Sequence, residues 1–240
     1  MIDLDRRVRA AVKHFWKTRS QQATRTGSRD KGGRSAVTGG EQMAGFVSGV
    51  REILMNIGLP AEGIFESGGD VQLPGFFRPT KKWDLLVVRG GQLLAAMEFK
   101  SQVGPSFGNN FNNRTEEALG SATGIWTAYR EGVFKPSARP WLGYLILLEQ
   151  VPRSIRPVAV SEPHFKVLPE FKGASYAKRY ELLCQKLARE RHYDATCLIL
   201  SDPQSGPNGS YTEPNVEFSF EALVTSLTAK ILSHLGGRNK

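Results

Sequence analysis

Hydrophobic residues recur every three or four positions in five segments of the chain, with Lys, Arg and Glu between them. This spacing is typical of amphipathic helices that bury one face. The predicted helices cover residues 3–18, 41–57, 115–131, 176–191 and 220–235. Gly58 and Pro60 follow the second of these helices, and we expect them to end it, because glycine suits the position after a helix and proline cannot continue one.

Shorter apolar runs predict strands. Residues 83–88 and 93–99 are separated by Arg89-Gly90-Gly91-Gln92, which is typical of a β-hairpin. Residues 142–148 and 196–200 are apolar almost throughout, as in strands that are covered on both faces of a sheet. The sequence therefore predicts an α/β fold with a mixed central β-sheet flanked by helices.

Length and composition favour a single globular domain over residues 1–240. The chain is 40% hydrophobic and 10% aromatic, which is enough to form a core without disulfides. Cys184 and Cys197 each lie in an apolar run with no Cys or His cluster nearby, so we expect reduced thiols in the core. We find no segment of membrane-spanning length and no secretory signal, and we expect a cytoplasmic protein.

Positive charge is concentrated near the N-terminus. The formal net charge is +9, and residues 6–34 hold ten Lys or Arg and one acid. Residues 21–40 are polar, basic and rich in glycine, and we expect a mobile loop there that contacts phosphates. This distribution favours a polyanionic partner such as nucleic acid.

Three charged residues lie in the apolar strands of the predicted hairpin. Asp84 belongs to the first strand, and Glu98 and Lys100 end the second. Because strand side chains alternate between two faces, Glu98 and Lys100 project from one face and Phe99 from the other. Two carboxylates, the backbone carbonyl of Phe99, waters and a phosphate oxygen can complete the octahedron that Mg²⁺ requires. The pattern predicts magnesium-dependent phosphodiester hydrolysis, with Lys100 orienting the attacking water.

The length of the turn decides whether Asp84 joins the other two residues. A two-residue Gly90-Gly91 turn in a regular hairpin sets Asp84 opposite Met97, on the wrong face. A three-residue turn that includes Gln92, or an equivalent bulge, sets Asp84 opposite Glu98. We predict one of these latter arrangements.

A purely structural interpretation of the hairpin is also open. In that case Asp84 caps the start of a strand, and Glu98 and Lys100 form an exposed ion pair. Charged residues within apolar strands are costly unless they are paired or bound to metal, which favours the functional interpretation.

An acid followed by Glu-x-Lys resembles the PD-(D/E)XK nuclease superfamily, with Trp83-Asp84 in place of Pro-Asp. Longer segments resemble the XhoI family of type II restriction endonucleases, and among them the run GPSFGNNFNNR is highly unusual. The likeness covers about three quarters of the chain, up to about residue 200. The segments are residues 34–40, 78–84, 98–118, 163–165, 171–176 and 179–181.

This resemblance implies a restriction-endonuclease-like core and a homodimer that binds double-stranded DNA. It further implies the palindrome CTCGAG, cut after the first C to leave four-base 5′ overhangs and 5′-phosphates. A cognate DNA methyltransferase acting on the same site would protect the host.

Candidate DNA-contacting residues fall into three groups. Asn or Gln suits adenine and Arg or Lys suits guanine, although most such contacts go to phosphates. The first group follows the second strand of the hairpin and consists of Gln102, Asn109, Asn110, Asn112, Asn113 and Arg114. The second group is Lys172, Lys178 and Arg179, and the third is Arg25, Arg29, Lys31 and Arg34. The asparagines also suit a loop that only positions the next helix.

Two other functions remain open from the residues alone. One is a PD-(D/E)XK nuclease of repair or recombination, which cuts by DNA structure rather than by sequence. The other is a non-catalytic DNA-binding protein on the same fold.

Overall fold

The computed structural model describes residues 3–25, 34–66, 68 and 70–236. Its helices are α1 (Leu4–Arg25), α2 (Arg34–Asn56), α3 (Phe107–Arg130), α4 (Pro152–Ile155), α5 (Tyr176–Arg189) and α6 (Phe220–Gly236). Its strands are β1 (Ile64–Phe65), β2 (Gln72–Pro74), β3 (Thr80–Lys82), β4 (Leu85–Arg89), β5 (Gln92–Gln102), β6 (Trp141–Glu149) and β7 (Ala195–Ser201).

Five strands form the central sheet in the order β1-β4-β5-β6-β7, and β2 and β3 form a separate hairpin. The pairs β1–β4 and β4–β5 are antiparallel, whereas β5–β6 and β6–β7 are parallel. Helix α3 connects β5 to β6, and α5 lies between β6 and β7, as parallel pairing requires a crossover. The predicted mixed α/β fold is confirmed.

Apolar side chains cover both faces of this sheet. One core cluster joins α1, α2 and α6 to side chains such as Met97 and Leu145. The other joins α3 and α5 to side chains such as Ala96 and Tyr144. Because alternate residues of a strand face opposite layers, a charged residue within β5 lies beneath one helical layer or the other.

A bulge sets the register of the β4–β5 hairpin. Arg89 pairs with Gln92, so the turn has two residues, Gly90 and Gly91, and not three. The register then shifts between the pairs Val88↔Leu93 and Val87↔Ala95, which leaves Leu94 as an extra residue. The predicted three-residue turn is wrong and the predicted equivalent bulge is confirmed.

Helices α1 and α2 are longer than the periodicity predicts. Helix α1 continues to Arg25 and α2 begins at Arg34, so the part of the expected 21–40 loop that the structure describes is helical. Residues 26–33 lie outside the described part of the chain. Side-chain contacts explain the extension of α1, since Gln22 donates a hydrogen bond to Glu41 and accepts one from Gln42.

Helix α3 begins at Phe107, eight residues before the predicted start at Thr115. Phe107 is buried and stacks on Tyr176 with ring centroids 5.9 Å apart, and Phe111 meets Tyr180 edge-on at 5.1 Å. Packing of these rings stabilises a helix in a segment whose Gly and Asn residues favour a loop. The predicted start of this helix at Thr115 is therefore wrong, and the open alternative of a loop at the asparagines is not what the structure shows.

Both cysteines are free and buried, as the sequence predicts. Burial raises the pKa of the Cys184 thiol to about 12 and that of Cys197 well above its ordinary value. Within the described ranges, no helix is both long and apolar enough to cross a bilayer.

Candidate active site

Asp84, Glu98 and Lys100 converge on one face of the β4–β5 hairpin. The ammonium group of Lys100 lies 3.3 Å from Glu98 Oε1 and 3.6 Å from Asp84 Oδ2. Asp84 stands immediately before the pair Leu85↔Met97, and its N–H donates to the Met97 carbonyl at 3.1 Å. The bulge at Leu94 thus brings together the three residues that a regular two-residue hairpin would separate.

Glu98 is the buried centre of this cluster, with a side chain that is 2% exposed. Its Oε1 accepts a hydrogen bond from Lys81 Nζ at 2.6 Å and faces Lys100. Its Oε2 accepts one from the Tyr193 hydroxyl at 2.9 Å. Such a dense set of donors holds the carboxylate in one orientation, because releasing any of them would leave a buried charge less well solvated.

The two lysines act on the ionisation of Glu98. Burial by itself would raise the pKa of this carboxyl group, but the charges of Lys100 and Lys81 outweigh it, and the pKa lies below its ordinary value. Burial lowers the pKa of Lys81 more than Glu98 raises it. For Lys100 the balance is reversed, because both Glu98 and Asp84 raise its pKa. The cluster therefore contains a carboxylate pair with a stabilised ammonium group between its members.

Asp84 and the backbone carbonyl of Phe99 present further oxygen atoms beside Glu98. Asp84 is 31% exposed on its side chain, and its Oδ2 accepts the Phe99 N–H at 2.8 Å. The N–H and C=O groups of one strand residue point the same way, so the Phe99 carbonyl is directed to the side of Asp84. β4 begins only at Leu85, which leaves this carbonyl beyond the strand ladder.

These donors fit a hard divalent cation. In the part of the chain that the structure describes, no group of three or more His, Cys, Asp or Glu side chains could hold a metal. The site instead offers two carboxylates and a carbonyl, all oxygen donors, and Mg²⁺ characteristically keeps waters and a substrate phosphate for its other positions. The raised pKa of Lys100 between Glu98 and Asp84 shows that these carboxylates stabilise a positive charge placed between them.

The cluster lies in a cleft of about 750 Å³. Strand β5, the β2–β3 hairpin and α3 form its walls, with Asp84, Glu98, Lys100, Phe77 and Arg114 among the lining residues. Arg114 Nη1 pairs with Glu117 at 2.5 Å and Nη2 lies 3.4 Å from the Ser101 carbonyl. Its Nε is buried and makes no hydrogen bond within the described residues. A cation is therefore available on the cleft wall near the carboxylates.

The structure separates the first group of predicted DNA-contacting residues. Gln102 is 2% exposed, and its side chain is bonded to the Val103 carbonyl and the Tyr180 hydroxyl, so it does not reach the surface. The others lie on the first two turns of α3 rather than in a loop: Asn109, Asn112 and Asn113 are exposed, and Asn110 and Arg114 are half-buried.

The second group of predicted DNA-contacting residues forms ion pairs and hydrogen bonds within the protein. Lys178 is exposed at the start of α5 and pairs with Glu181 at 2.9 Å. Lys172 is also exposed, 3.8 Å from Glu162. Arg179 is half-buried, and its guanidinium donates to the carbonyls of Ala174 and Val158, which indicates a structural role.

The third group cannot be placed. Arg29 and Lys31 lie outside the described residues, and so do the side chains of Arg25 and Arg34.

Sequence reasoning missed Lys81 and Tyr193. Lys81 contacts Glu98 from β3, and its Nζ also lies 4.5 Å from the centre of the Trp83 ring. Tyr193 reaches Glu98 from a position 95 residues further along the chain. The position of a basic residue shortly before Asp84 is a weak sequence signal for Lys81. No local pattern identifies Tyr193.

Comparison with known proteins identifies the family to which this chain is similar. The family model described as "Restriction endonuclease XhoI" matches residues 21–213. The type II restriction enzyme BstVI of Geobacillus stearothermophilus is 53% identical over 208 residues, which cover 85% of this chain and 92% of that enzyme.

Two further type II restriction enzymes are similarly close. XhoI of Xanthomonas vasicola is 49% identical over 78% of this chain and 76% of its own length. AbrI of Azospirillum brasilense is 47% identical over 69% of this chain and 76% of its own length. No solved structure matches the chain. The chain therefore belongs to the XhoI family of type II restriction endonucleases, which are site-specific deoxyribonucleases acting on double-stranded DNA.

Proposed function

We propose that the enzyme uses Mg²⁺ to hydrolyse both strands of the palindrome CTCGAG after the first C, leaving four-base 5′ overhangs with 5′-phosphates. The observation that carries the catalytic part of this proposal is the convergence of Asp84, Glu98 and Lys100 in a cleft, with Lys100 within 3.6 Å of both carboxylates. The hexamer follows from the likeness to the XhoI family.

Asp84, Glu98 and the Phe99 carbonyl are the residues that would hold the metal. When bound there, Mg²⁺ offsets negative charge on the reacting phosphate and lowers the pKa of a coordinated water. Lys100 remains charged at neutral pH, because the neighbouring carboxylates raise its pKa. Its ammonium group can therefore donate to the attacking water or to a phosphate oxygen, orienting the one and stabilising charge on the other.

Lys81 and Tyr193 are positioning residues in this proposal. Each holds one oxygen of Glu98, at 2.6 and 2.9 Å respectively. A carboxylate fixed at both oxygens keeps its place when the substrate arrives, so little reorganisation is needed during the reaction.

The first turns of α3 are the proposed base-reading element. This helix starts five residues after β5, and its exposed Asn109, Asn112 and Asn113 extend from the end of the strand that carries Glu98. Asn can form bidentate contacts with adenine, and Arg114 on the cleft wall can contact guanine or a phosphate. Lys172 and Lys178 add exposed positive charge for backbone contacts, and we retain Arg25, Arg29, Lys31 and Arg34 as candidate phosphate contacts.

The proposed partners follow from the symmetry of the substrate. A palindrome has a twofold axis and two scissile phosphates, whereas each chain has one Asp84–Glu98–Lys100 cluster. A C2 homodimer places one such cluster at the scissile phosphate of each DNA strand. A cell that contains the enzyme must also protect its own copies of the site, which requires a cognate DNA methyltransferase with the same specificity.

Run-off mapping of the cleavage ends tests site, stagger and symmetry together. Plasmid DNA of known sequence is digested in Mg²⁺, and both ends of each cut are sequenced. Discrete ends offset by four bases at every CTCGAG are expected. Cuts at another sequence, or at branched structures only, contradict the proposed specificity.

A pair of lysine variants tests the proposed site itself. Lys100→Met is expected to abolish cleavage while DNA binding in Ca²⁺ is retained, because only the ammonium group beside the carboxylates is lost. Lys82→Met is the matched control, since Lys82 is exposed and lies next to Lys81 on β3. Cleavage by the Lys100 variant at the rate of the control would contradict the assignment.

A further inference from the structure

Two adjacent phenylalanines are exposed at the tip of the β2–β3 hairpin. The exposed fraction is 50% for Phe76 and 70% for Phe77. Their rings meet edge to face, with centroids 4.9 Å apart and an interplanar angle of 82°. A pair of large apolar rings in water is unfavourable in the free protein, and such patches commonly mark binding sites. We call Phe76 and Phe77 the aromatic tip.

The aromatic tip stands on a rigid base. Strand β2 pairs with β3 from Gln72↔Lys82 to Pro74↔Thr80, and the Gly75 N–H closes the turn by donating to the Pro79 carbonyl at 3.1 Å. A Cβ at Gly75 would lie 2.6 Å from the Arg78 carbonyl oxygen, so this turn requires glycine.

The core anchors the hairpin from below. Leu73 and Trp83 are buried in the cluster beneath α3 and α5, and the Trp83 N–H donates to the Val71 carbonyl at 2.8 Å. The turn that presents the two rings is thus anchored on both sides by strand pairing and by buried side chains. A preorganised aromatic surface loses little conformational entropy when it binds.

The position of the aromatic tip and the charge of the neighbouring Arg78 identify its partner. Phe77, Gly75 and Arg78 line the same cleft as Asp84 and Glu98, so a duplex whose scissile phosphate reaches the carboxylates must pass the hairpin. Arg78 is exposed beside the rings and is positively charged, as a phosphate backbone requires. Apolar rings next to a cation match nucleic acid, in which flat bases alternate with phosphates.

We propose that the aromatic tip is a wedge that contacts the bases of the bound duplex and unstacks a base step near the scissile phosphate. This inference rests on the proposed function of the cleft. Aromatic side chains that enter between base pairs kink DNA and bring more of it against the protein. In this enzyme the wedge would draw the phosphate into a cleft whose carboxylates lie beneath the hairpin.

Fluorescence of 2-aminopurine tests the wedge directly, because unstacking this base raises its emission. Full-length enzyme is titrated in Ca²⁺ into duplexes that carry the probe at one position at a time across the mapped cleavage site and its flanks. A rise confined to one or two adjacent positions is expected with the wild-type enzyme. Phe77→Ala is expected to remove the rise and to weaken binding about tenfold to a hundredfold, the loss of one stacked base.

Two further variants make the result specific. Phe77→Trp keeps an aromatic ring and is expected to retain the rise, which a general loss of structure would not allow. Phe165→Ala removes another exposed ring, 89% accessible and outside the cleft lining, and is expected to change nothing. Unchanged fluorescence at every position with the wild-type enzyme, or equal behaviour of Phe77→Ala and the wild type, would overturn the proposal.

The same variants distinguish a second copy of the chain as the partner. Sedimentation of free Phe77→Ala in the absence of DNA should match that of the wild type. A shift to a smaller species would show that the aromatic tip is a subunit contact and would overturn the wedge. Cleavage mapped to a sequence other than CTCGAG would refute the proposed hexamer but not the wedge. The 2-aminopurine probes are placed at the cleavage site that is actually mapped, so the test of the wedge does not depend on that hexamer.

Discussion

Removing the Tyr193 hydroxyl should destabilise the enzyme, because this group solvates the buried carboxylate of Glu98. The hydroxyl lies 2.9 Å from Glu98 Oε2 and 3.1 Å from the Ala118 carbonyl, and Tyr193 is 1% exposed. A hydrogen bond to a charged group contributes about 1.5–3 kcal/mol. Tyr193→Phe keeps the ring and loses this bond, so we expect a loss of about 2 kcal/mol in the free energy of unfolding.

Tyr144→Phe is the matched control. Tyr144 is also 1% exposed and its ring centroid lies 5.3 Å from that of Tyr193, but its hydroxyl has no hydrogen-bond partner among the described residues. A buried hydroxyl without a partner is destabilising by about 1–3 kcal/mol. Its removal should therefore leave the enzyme unchanged or make it more stable.

Equilibrium unfolding in urea measures both variants. A lower midpoint at an unchanged slope is expected for Tyr193→Phe, and no decrease for Tyr144→Phe. For a chain of this size the loss corresponds to about 4–8 °C in the melting temperature. Equal stabilities for the two variants, or a smaller loss for Tyr193→Phe than for Tyr144→Phe, would refute the view that Tyr193 solvates Glu98.

Three further results are expected. Gly206→Ala should destabilise the fold by about 1–3 kcal/mol in thermal unfolding, because its Cβ would lie 2.0 Å from Trp16 Nε1. Gly49→Ala, in open space on α2, should stabilise the fold by about 0.5–1 kcal/mol, and a Gly206 variant more stable than the Gly49 variant would contradict this packing. Cys184, whose pKa burial raises to about 12, should resist iodoacetamide at pH 8 in the native enzyme and react once unfolded, as mass spectrometry would show. Asp84→Asn should reduce calorimetric Ca²⁺ binding by the enzyme–DNA complex at least tenfold, and wild-type affinity would exclude Asp84 as a ligand.

Much of the fold could be predicted from local patterns. Apolar spacing located five helices. It ended α1 several residues too early and began α3 several residues too late. Both errors have the same origin, since contacts distant in sequence extend these helices. The ring of Phe107 packs on Tyr176, and the amide of Gln22 bonds to Glu41. Propensity alone cannot include such contacts.

The candidate site shows the same division. Alternation along a strand places Glu98 and Lys100 on one face, and the sequence alone therefore predicts this pair. The position of Asp84 depended on a bulge, which the sequence allowed but did not require. The extra residue, Leu94, packs in the same core cluster as Ala95, its neighbour in the chain. Two consecutive residues can share a face only where the strand is bulged, and burial of both apolar side chains favours that arrangement.

By itself the sequence determined the composition of the site, namely an acid and a Glu-x-Lys in apolar strands, because side-chain periodicity in a strand is a local property of the backbone. Only the tertiary structure decided which groups surround Glu98. Lys81 and Tyr193 approach it from separate elements, 17 and 95 residues away in the chain. Their positions depend on the packing of the β2–β3 hairpin and of the segment before β7 against one sheet face, and such long-range contacts have no signature in local sequence.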